Sequence, residues 1–141
     1  MRHATCIVSL MGIGIGCGTT GEPMAAASRT ANSPTDIVLS IGQEVLVDAR
    51  LRVGFTSVPQ DSRCPSSVVC VWAGDGAAEL SFHFGTDPSL RDTLHTMMGR
   101  KQTGIQDYDI TLLELMPYPA APGAIPPDAY AVRLRIARRP A

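Results

Sequence analysis

The sequence lacks a long apolar run and an excess of charge of either sign. No stretch of the 141 residues approaches the roughly 18 consecutive apolar residues of a transmembrane helix, so none is expected in the mature chain. The 12 Lys and Arg residues nearly balance the 13 Asp and Glu residues, for a net charge of −1. Nucleic-acid-binding domains usually carry a strong basic excess, so we expect no nucleic-acid partner.

Sequence motifs of catalysis and of nucleotide binding are also missing. The chain contains neither G-x-S-x-G nor H-E-x-x-H, and serine, histidine and aspartate occur in no arrangement typical of a catalytic site. No glycine-rich loop precedes a helix, so no nucleotide site is indicated. We therefore expect a non-catalytic protein without a cofactor.

The N-terminus has the parts of an export signal. Arg2 and His3 form a short basic region, and residues 4–15 are mostly apolar. Gly16-Cys17 follows, and a small residue before a cysteine suits lipoprotein processing. The sequence thus predicts a signal peptide over residues 1–16 and lipidation of Cys17.

Cleavage without lipidation is the alternative, because the position three before Cys17, usually Leu or a similar residue, is Gly14. Cleavage after Ala27 would give a secreted or periplasmic protein. In the lipoprotein interpretation, residues 17–35 are small and polar and form a flexible tether. Residues 36–141 then form one domain in the cell envelope, held to a bacterial membrane by lipid.

Alternation of apolar and polar residues predicts that this domain is all-β. Five to eight short strands, with no convincing helix, indicate a single antiparallel β-sandwich, immunoglobulin-like or barrel-like. We expect a bend near Asp48, a β-bulge at Leu113 and a hairpin turn over 99–104. The alternating segments are 37–41, 45–55, 78–84, 93–98, 108–115 and 130–136.

Residues 116–127 interrupt the alternation with five prolines. Proline lacks the amide that a strand ladder needs, so this segment must be a loop crossing an edge or an end of the sandwich.

Two of the four cysteines remain for a disulfide. Cys6 lies in the signal and Cys17 would carry lipid, which leaves Cys64 and Cys70 in a compartment that permits disulfides. We expect a short closed loop, with Trp72 packed on the sheet edge or on the disulfide. The apolar Val68, Val69 and Val71 also suggest packing.

The residues around this loop are the candidate binding site, namely Asp61, Arg63, Trp72 and Tyr118. One alternative is a protease inhibitor that presents residues 61–70, with Arg63 as the contact residue. Another is a periplasmic metal-binding protein using His83 or His95, although no ligand spacing is diagnostic. We expect no metal at the paired cysteines.

Arginines near the C-terminus alternate along a predicted strand. If that strand paired with the one holding Arg50 and Arg52, a basic stripe facing an acidic partner or lipid headgroups would form. The C-terminal members are Arg133, Arg135, Arg138 and Arg139.

The run DSRCPSSVVCVWAG, after a strand ending VGFTSV, resembles a group of small, uncharacterised bacterial lipoproteins and secreted proteins with a D-S-R-C-P…C-x-W-x-G signature. The P-Y-P and Y-x-V-x-L-x-I segments are similar too, and the resemblance covers about residues 38–137. It implies export, a disulfide and a β fold. Our hypothesis is a non-catalytic cell-envelope lipoprotein that binds an envelope protein or gives structural support, besides its membrane anchor.

Overall fold

A computed structural model describes residues 33–140 of the chain. The predicted signal peptide, Cys17 and most of the predicted tether lie outside the described residues. Within this range the chain forms eight strands and one short 3₁₀ turn, Pro127–Ala129. The strands are β1 (Thr35–Ser40), β2 (Glu44–Leu46), β3 (Leu51–Asp61), β4 (Gly76–Phe84), β5 (Leu90–His95), β6 (Gln102–Ile105), β7 (Tyr108–Met116) and β8 (Ala131–Arg138).

The strands form two antiparallel sheets of four. Sheet A has the order β1-β8-β7-β6, and sheet B has the order β2-β3-β4-β5. Apolar side chains on the inner faces of both sheets meet in one core, so the predicted all-β sandwich is confirmed. Its largest fully buried side chains are Tyr108, Phe55, Phe82, Leu51, Leu80, Leu94, Ile110, Leu112, Leu115, Leu134, Val53 and Val132.

The alternation predicted two irregularities, of which the bulge in β7 is confirmed and the bend near Asp48 is not. The expected bend near Asp48 is instead a reversal of the chain, because β2 and β3 pair antiparallel, with Val45 opposite Val53. The Asp48 carboxylate holds this turn by accepting hydrogen bonds from the amides of Arg50 and Leu51 at 2.8 and 3.0 Å. The bulge in β7 is a register shift between Leu112 and Glu114. The bulge lets β7 keep its apolar residues on the core side.

The predicted hairpin over 99–104 is wrong. β5 pairs with β4 in sheet B, whereas β6 pairs with β7 in sheet A, so residues 96–101 cross between the sheets. In place of the predicted hairpin, the two-residue turn Gln106-Asp107 joins β6 to β7, and Gln106 has a φ of 49°. A tight turn of this kind joins β6 to β7 more directly than a longer loop would join β5 to β6.

The connections divide between two ends of the sandwich. Loops 62–75, 96–101 and 117–130 share one end, which we call the loop end. The described chain starts at the opposite end, where Ser33 and Thr35 lie near Tyr108 and the Asp48 bend. We call this the tether end. The proline-rich segment predicted to be a loop belongs to the loop end.

Candidate functional site

The disulfide predicted from the cysteine count joins Cys64 and Cys70, whose Cα atoms are 5.9 Å apart. Closing a loop of seven residues restricts the unfolded chain by about 2.4 kcal/mol on the chain-entropy model. The closed loop is also tied to its surroundings, because the Ser66 amide donates to the Pro119 carbonyl at 3.0 Å. The sequence therefore builds a rigid projection at the loop end.

Arg63 anchors this projection from inside. Its side chain is only 4% exposed and forms an ion pair with Asp61, with Nη2–Oδ2 at 2.6 Å and Nε–Oδ1 at 2.8 Å. The same guanidinium donates to the backbone carbonyls of Leu115 and Pro117, at the end of β7. Arg63 thus joins the disulfide loop of sheet B to sheet A.

This burial corrects two expectations for the candidate binding residues. A side chain held inside the protein by four hydrogen bonds cannot be the residue that an inhibitor presents to a protease, so that role for Arg63 is wrong. Asp61 is buried as well, with 9% of its side chain exposed. Both residues support the loop and do not form its contact surface.

Tyr130 completes the buried polar cluster. Its hydroxyl donates to Asp61 Oδ2 at 2.9 Å. Burial alone would raise the pKa of Asp61, but the hydrogen bonds from Arg63 and Tyr130 outweigh it and hold that pKa below its usual value. Burial and the neighbouring carboxylate raise the pKa of Tyr130. Asp61 is therefore ionised and its oxygens are already occupied by donors.

Trp72 and the valines of the loop lie in solvent, against expectation. Val69 is 102% exposed, Val71 92% and Trp72 80%, and Val68 is partly exposed. The packing that the sequence suggested does not form, and the side chain that is buried at the base of the loop is that of Arg63. Packing inside the domain therefore does not explain why the loop carries these apolar residues.

Other exposed apolar side chains lie at the same end of the sandwich. Met97, Met98 and Tyr118 are each more than half exposed, and Met97 and Tyr118 line one shallow depression with Ala73, the neighbour of Trp72. Tyr118 also covers the Arg63 guanidinium, with 5.5 Å from Cζ to the ring centroid. We call these exposed apolar side chains of the loop end the apolar tip, defined by Val69, Val71, Trp72, Met97, Met98 and Tyr118.

Sequence reasoning identified Trp72 and Tyr118 but missed the rest of the apolar tip. The available signal was charge: none of residues 64–74 is charged, although they form a loop between two strands. Large exposed apolar patches are rare on proteins and mark interaction sites. An uncharged loop with several large apolar residues therefore indicates such a site.

Asp75, another residue not singled out from the sequence, holds the segment that carries the two methionines. Its Oδ1 accepts from the amides of Met97 and Met98 at 2.9 and 3.2 Å and from the Thr96 hydroxyl at 3.0 Å. Its Oδ2 lies 2.6 Å from His95 Nδ1. Burial opposes ionisation, but these donors prevail and lower the pKa of Asp75 to about 2.

The stability of the domain should therefore depend on Asp75 in acid. A carboxyl with a pKa of 3.8 when unfolded and about 2 when folded contributes roughly 2 kcal/mol above pH 4, and this is lost as the pH falls from about 4 to 2. Asp75→Asn should lower the unfolding free energy in urea at pH 7 and flatten its fall between pH 4 and 2. Asp87→Asn, in an exposed turn, should leave both unchanged.

The histidines considered as metal ligands are not brought together. His95 pairs with Ala77 near the loop end of sheet B, whereas His83 pairs with Arg52 near the tether end. His83 Nε2 lies 3.4 Å from a Glu44 carboxylate oxygen. Within residues 33–140, no three His, Cys, Asp or Glu side chains are grouped as metal ligands.

The basic stripe does not form as expected. β8 and β3 lie in different sheets, so the arginines of the two strands do not pair across a ladder. Arg133 and Arg135 instead form ion pairs with Glu114 and Asp36. The face of sheet A that carries them thus mixes both signs of charge.

A cavity of about 450 Å³ lies beside the buried polar cluster, between β3 and the proline-rich loop. Val58, Pro59 and Ile125 contribute apolar walls, and Tyr130 lies at its polar side. Because the Asp61 and Arg63 charges neutralise each other, the cavity offers no free charge to a ligand.

Within the described residues, no helix has the length and apolar character to cross a membrane. No protein-family model matches the chain, and no curated protein or solved structure matches it either.

Proposed function

We propose that the protein is an exported, non-catalytic binding module of the bacterial cell envelope, which contacts its partner through the apolar tip. The observation that carries this proposal is the exposure of Val69, Val71 and Trp72 on a loop that a disulfide and a buried ion pair hold in place. A rigid loop loses little conformational entropy on binding, so its exposed apolar area is available for affinity.

The composition of the apolar tip supports binding to another molecule. Tryptophan, tyrosine and methionine are enriched at the centres of interfaces, where charged residues are depleted. The tip supplies Trp72, Tyr118, Met97 and Met98, and the disulfide loop contains no charged residue. None of these side chains belongs to the hydrophobic core or packs against it.

We further propose that Cys17 carries a lipid that holds the domain to a membrane. The sequence features in support are the basic start, the apolar segment and Gly16-Cys17. Intact mass spectrometry of the mature protein from its host tests this membrane attachment. We expect a chain that starts at Cys17 with acyl groups and lacks two hydrogens at Cys64 and Cys70. Cleavage after Ala27 would remove the anchor from the proposal.

Photo-crosslinking in intact host cells tests the binding surface. A photoreactive amino acid in place of Trp72 should give discrete crosslinked products with a lipid or a protein. The same amino acid in place of Leu46, an exposed residue of β2 remote from the loop end, is the matched control. Equal yields at the two positions, or no product from position 72, would remove the support for a binding role of the tip.

A further inference from the structure

We infer that the partner of the apolar tip is a phospholipid bilayer, into whose headgroup region the disulfide loop inserts. This inference rests on the proposed function, because it names what the same surface binds. Shallow insertion of a rigid loop places apolar side chains among the upper acyl chains and leaves the rest of the domain in water.

The electrostatics of the loop permit this insertion. Residues 64–74 carry no charge, and the charged residues on either side of them are already paired. Arg63 is neutralised by Asp61 inside the protein, and Asp75 is held by His95 and backbone amides. The main cost of placing a polypeptide near hydrocarbon is the removal of water from unpaired charges. The loop has no unpaired charge, so its insertion does not carry this cost.

The loop shape also fits a bilayer better than a flat protein surface. Val69 and Val71 project almost completely into solvent. The loop backbone meets part of its own hydrogen-bonding needs: the Cys64 amide donates to the Ala73 carbonyl at 3.1 Å, and the Val68 amide donates to the Pro65 carbonyl at 3.2 Å. A bilayer accepts such a projection without a complementary groove, and at the depth of the hydrated headgroups the remaining amides of the loop keep water as their partner.

The residues around the projection match the membrane interface. Trp72 and Tyr118 are of the two types that concentrate at the boundary between headgroups and acyl chains. Lys101 and Glu114 both line the depression that contains Met97 and Tyr118. Glu114 forms an ion pair with Arg133, whereas Lys101 forms none within residues 33–140. Its ammonium group complements the phosphate of anionic headgroups.

The chain length before the domain allows the tip to reach the membrane that holds Cys17. The described chain begins at the tether end, and β7 spans about 30 Å from there to the loop end. Residues 18–33 reach up to about 55 Å when extended. The domain can therefore turn its loop end towards its own membrane, and the lipid and the tip would then act as two attachments.

Trp72 makes the test direct, because it is the only tryptophan of the chain. The protein is the mature chain from residue 18 without lipid, which retains every residue of the described fold. The probes are vesicles of phosphatidylcholine alone and of equal parts phosphatidylcholine and phosphatidylglycerol. We expect a saturable blue shift of Trp72 emission, quenching by lipids brominated near the headgroup, and stronger binding to the anionic vesicles.

Substitutions assign the binding to the tip. Val71→Asp should weaken vesicle co-sedimentation at least about tenfold, because a carboxylate would enter the interface. Lys101→Gln should reduce only the preference for anionic vesicles. Leu46→Asp, on the exposed edge strand β2, is the matched control and should bind like the parent protein. Circular dichroism should confirm that each variant is folded.

The outcomes separate this inference from the proposed function. Vesicle binding that Val71→Asp leaves intact would overturn the inference, as would the absence of binding to both vesicle compositions. If vesicles do not bind but position 72 crosslinks to an envelope protein in cells, the lipid inference is wrong and the binding-module proposal stands. If vesicles do not bind and position 72 gives no crosslink, both are wrong.

Discussion

Arg63→Ala should destabilise the domain by about 3–5 kcal/mol, because it leaves the buried Asp61 carboxylate without its counterion. The substitution also removes the donors to the Leu115 and Pro117 carbonyls, so the disulfide loop loses its connection to sheet A. A domain of this size is typically stable by only 5–15 kcal/mol. Urea denaturation of the mature chain, followed by circular dichroism, measures the loss.

Arg133→Ala is the matched control for Arg63→Ala. It also removes an arginine from an ion pair, but Arg133 and its partner Glu114 are each about half exposed, so the cost should stay below about 1 kcal/mol. Arg63→Lys should also be costly, since an ammonium group cannot replace a planar guanidinium that serves a carboxylate and two carbonyls at once. Equal losses for Arg63→Ala and Arg133→Ala would contradict the buried role of Arg63.

Gly74→Ala should destabilise the domain by about 3–5 kcal/mol, combining backbone strain with a severe steric overlap. Gly74 has a φ of +70°, and an added Cβ would lie 1.8 Å from the Ser62 carbonyl oxygen. The two segments that form the stem of the disulfide loop, residues 62–64 and 73–75, would have to separate to admit a methyl group. Thermal and urea denaturation of the mature chain measure the effect.

Gly42→Ala provides the comparison for Gly74→Ala. Gly42 has a similar φ of +79°, but an added Cβ would have no atom within 4 Å. Its cost should therefore be that of left-handed backbone alone, about 1–2 kcal/mol. The difference between the losses of unfolding free energy in the two variants measures the steric overlap at the loop stem. Equal losses would contradict the close approach of Gly74 to Ser62.

The strands were predictable because each sheet has one buried face. Alternation over 45–55 and 108–115 gave the positions of the strands and the bulge beside Leu113, but not the reversal at Asp48 that divides 45–55 into β2 and β3. The partners of β5 and β6, which are β4 and β7, were not predictable in the same way. Which sheet each strand joins depends on the tight turn at Gln106-Asp107, whose composition is not among the common turn signals.

The site was predicted in composition but not in orientation. Arg63 was considered as the contact residue of an inhibitor, but the carbonyls that hold it inside the protein lie more than fifty residues away in the chain. Trp72 was expected to pack because large apolar residues usually do. Its exposure follows from the anchoring of the loop through Arg63, which local sequence does not encode.

Collisional quenching of Trp72 fluorescence by acrylamide, in the free mature protein, tests the central claim that the apolar tip is exposed and rigidly presented. Because the chain has no other tryptophan, the signal reports on this position alone. We expect a quenching constant near that of a solvent-exposed indole, in a protein whose unfolding in urea is cooperative. A shielded Trp72 in the folded protein would contradict the account, because the tip would then be packed against the domain.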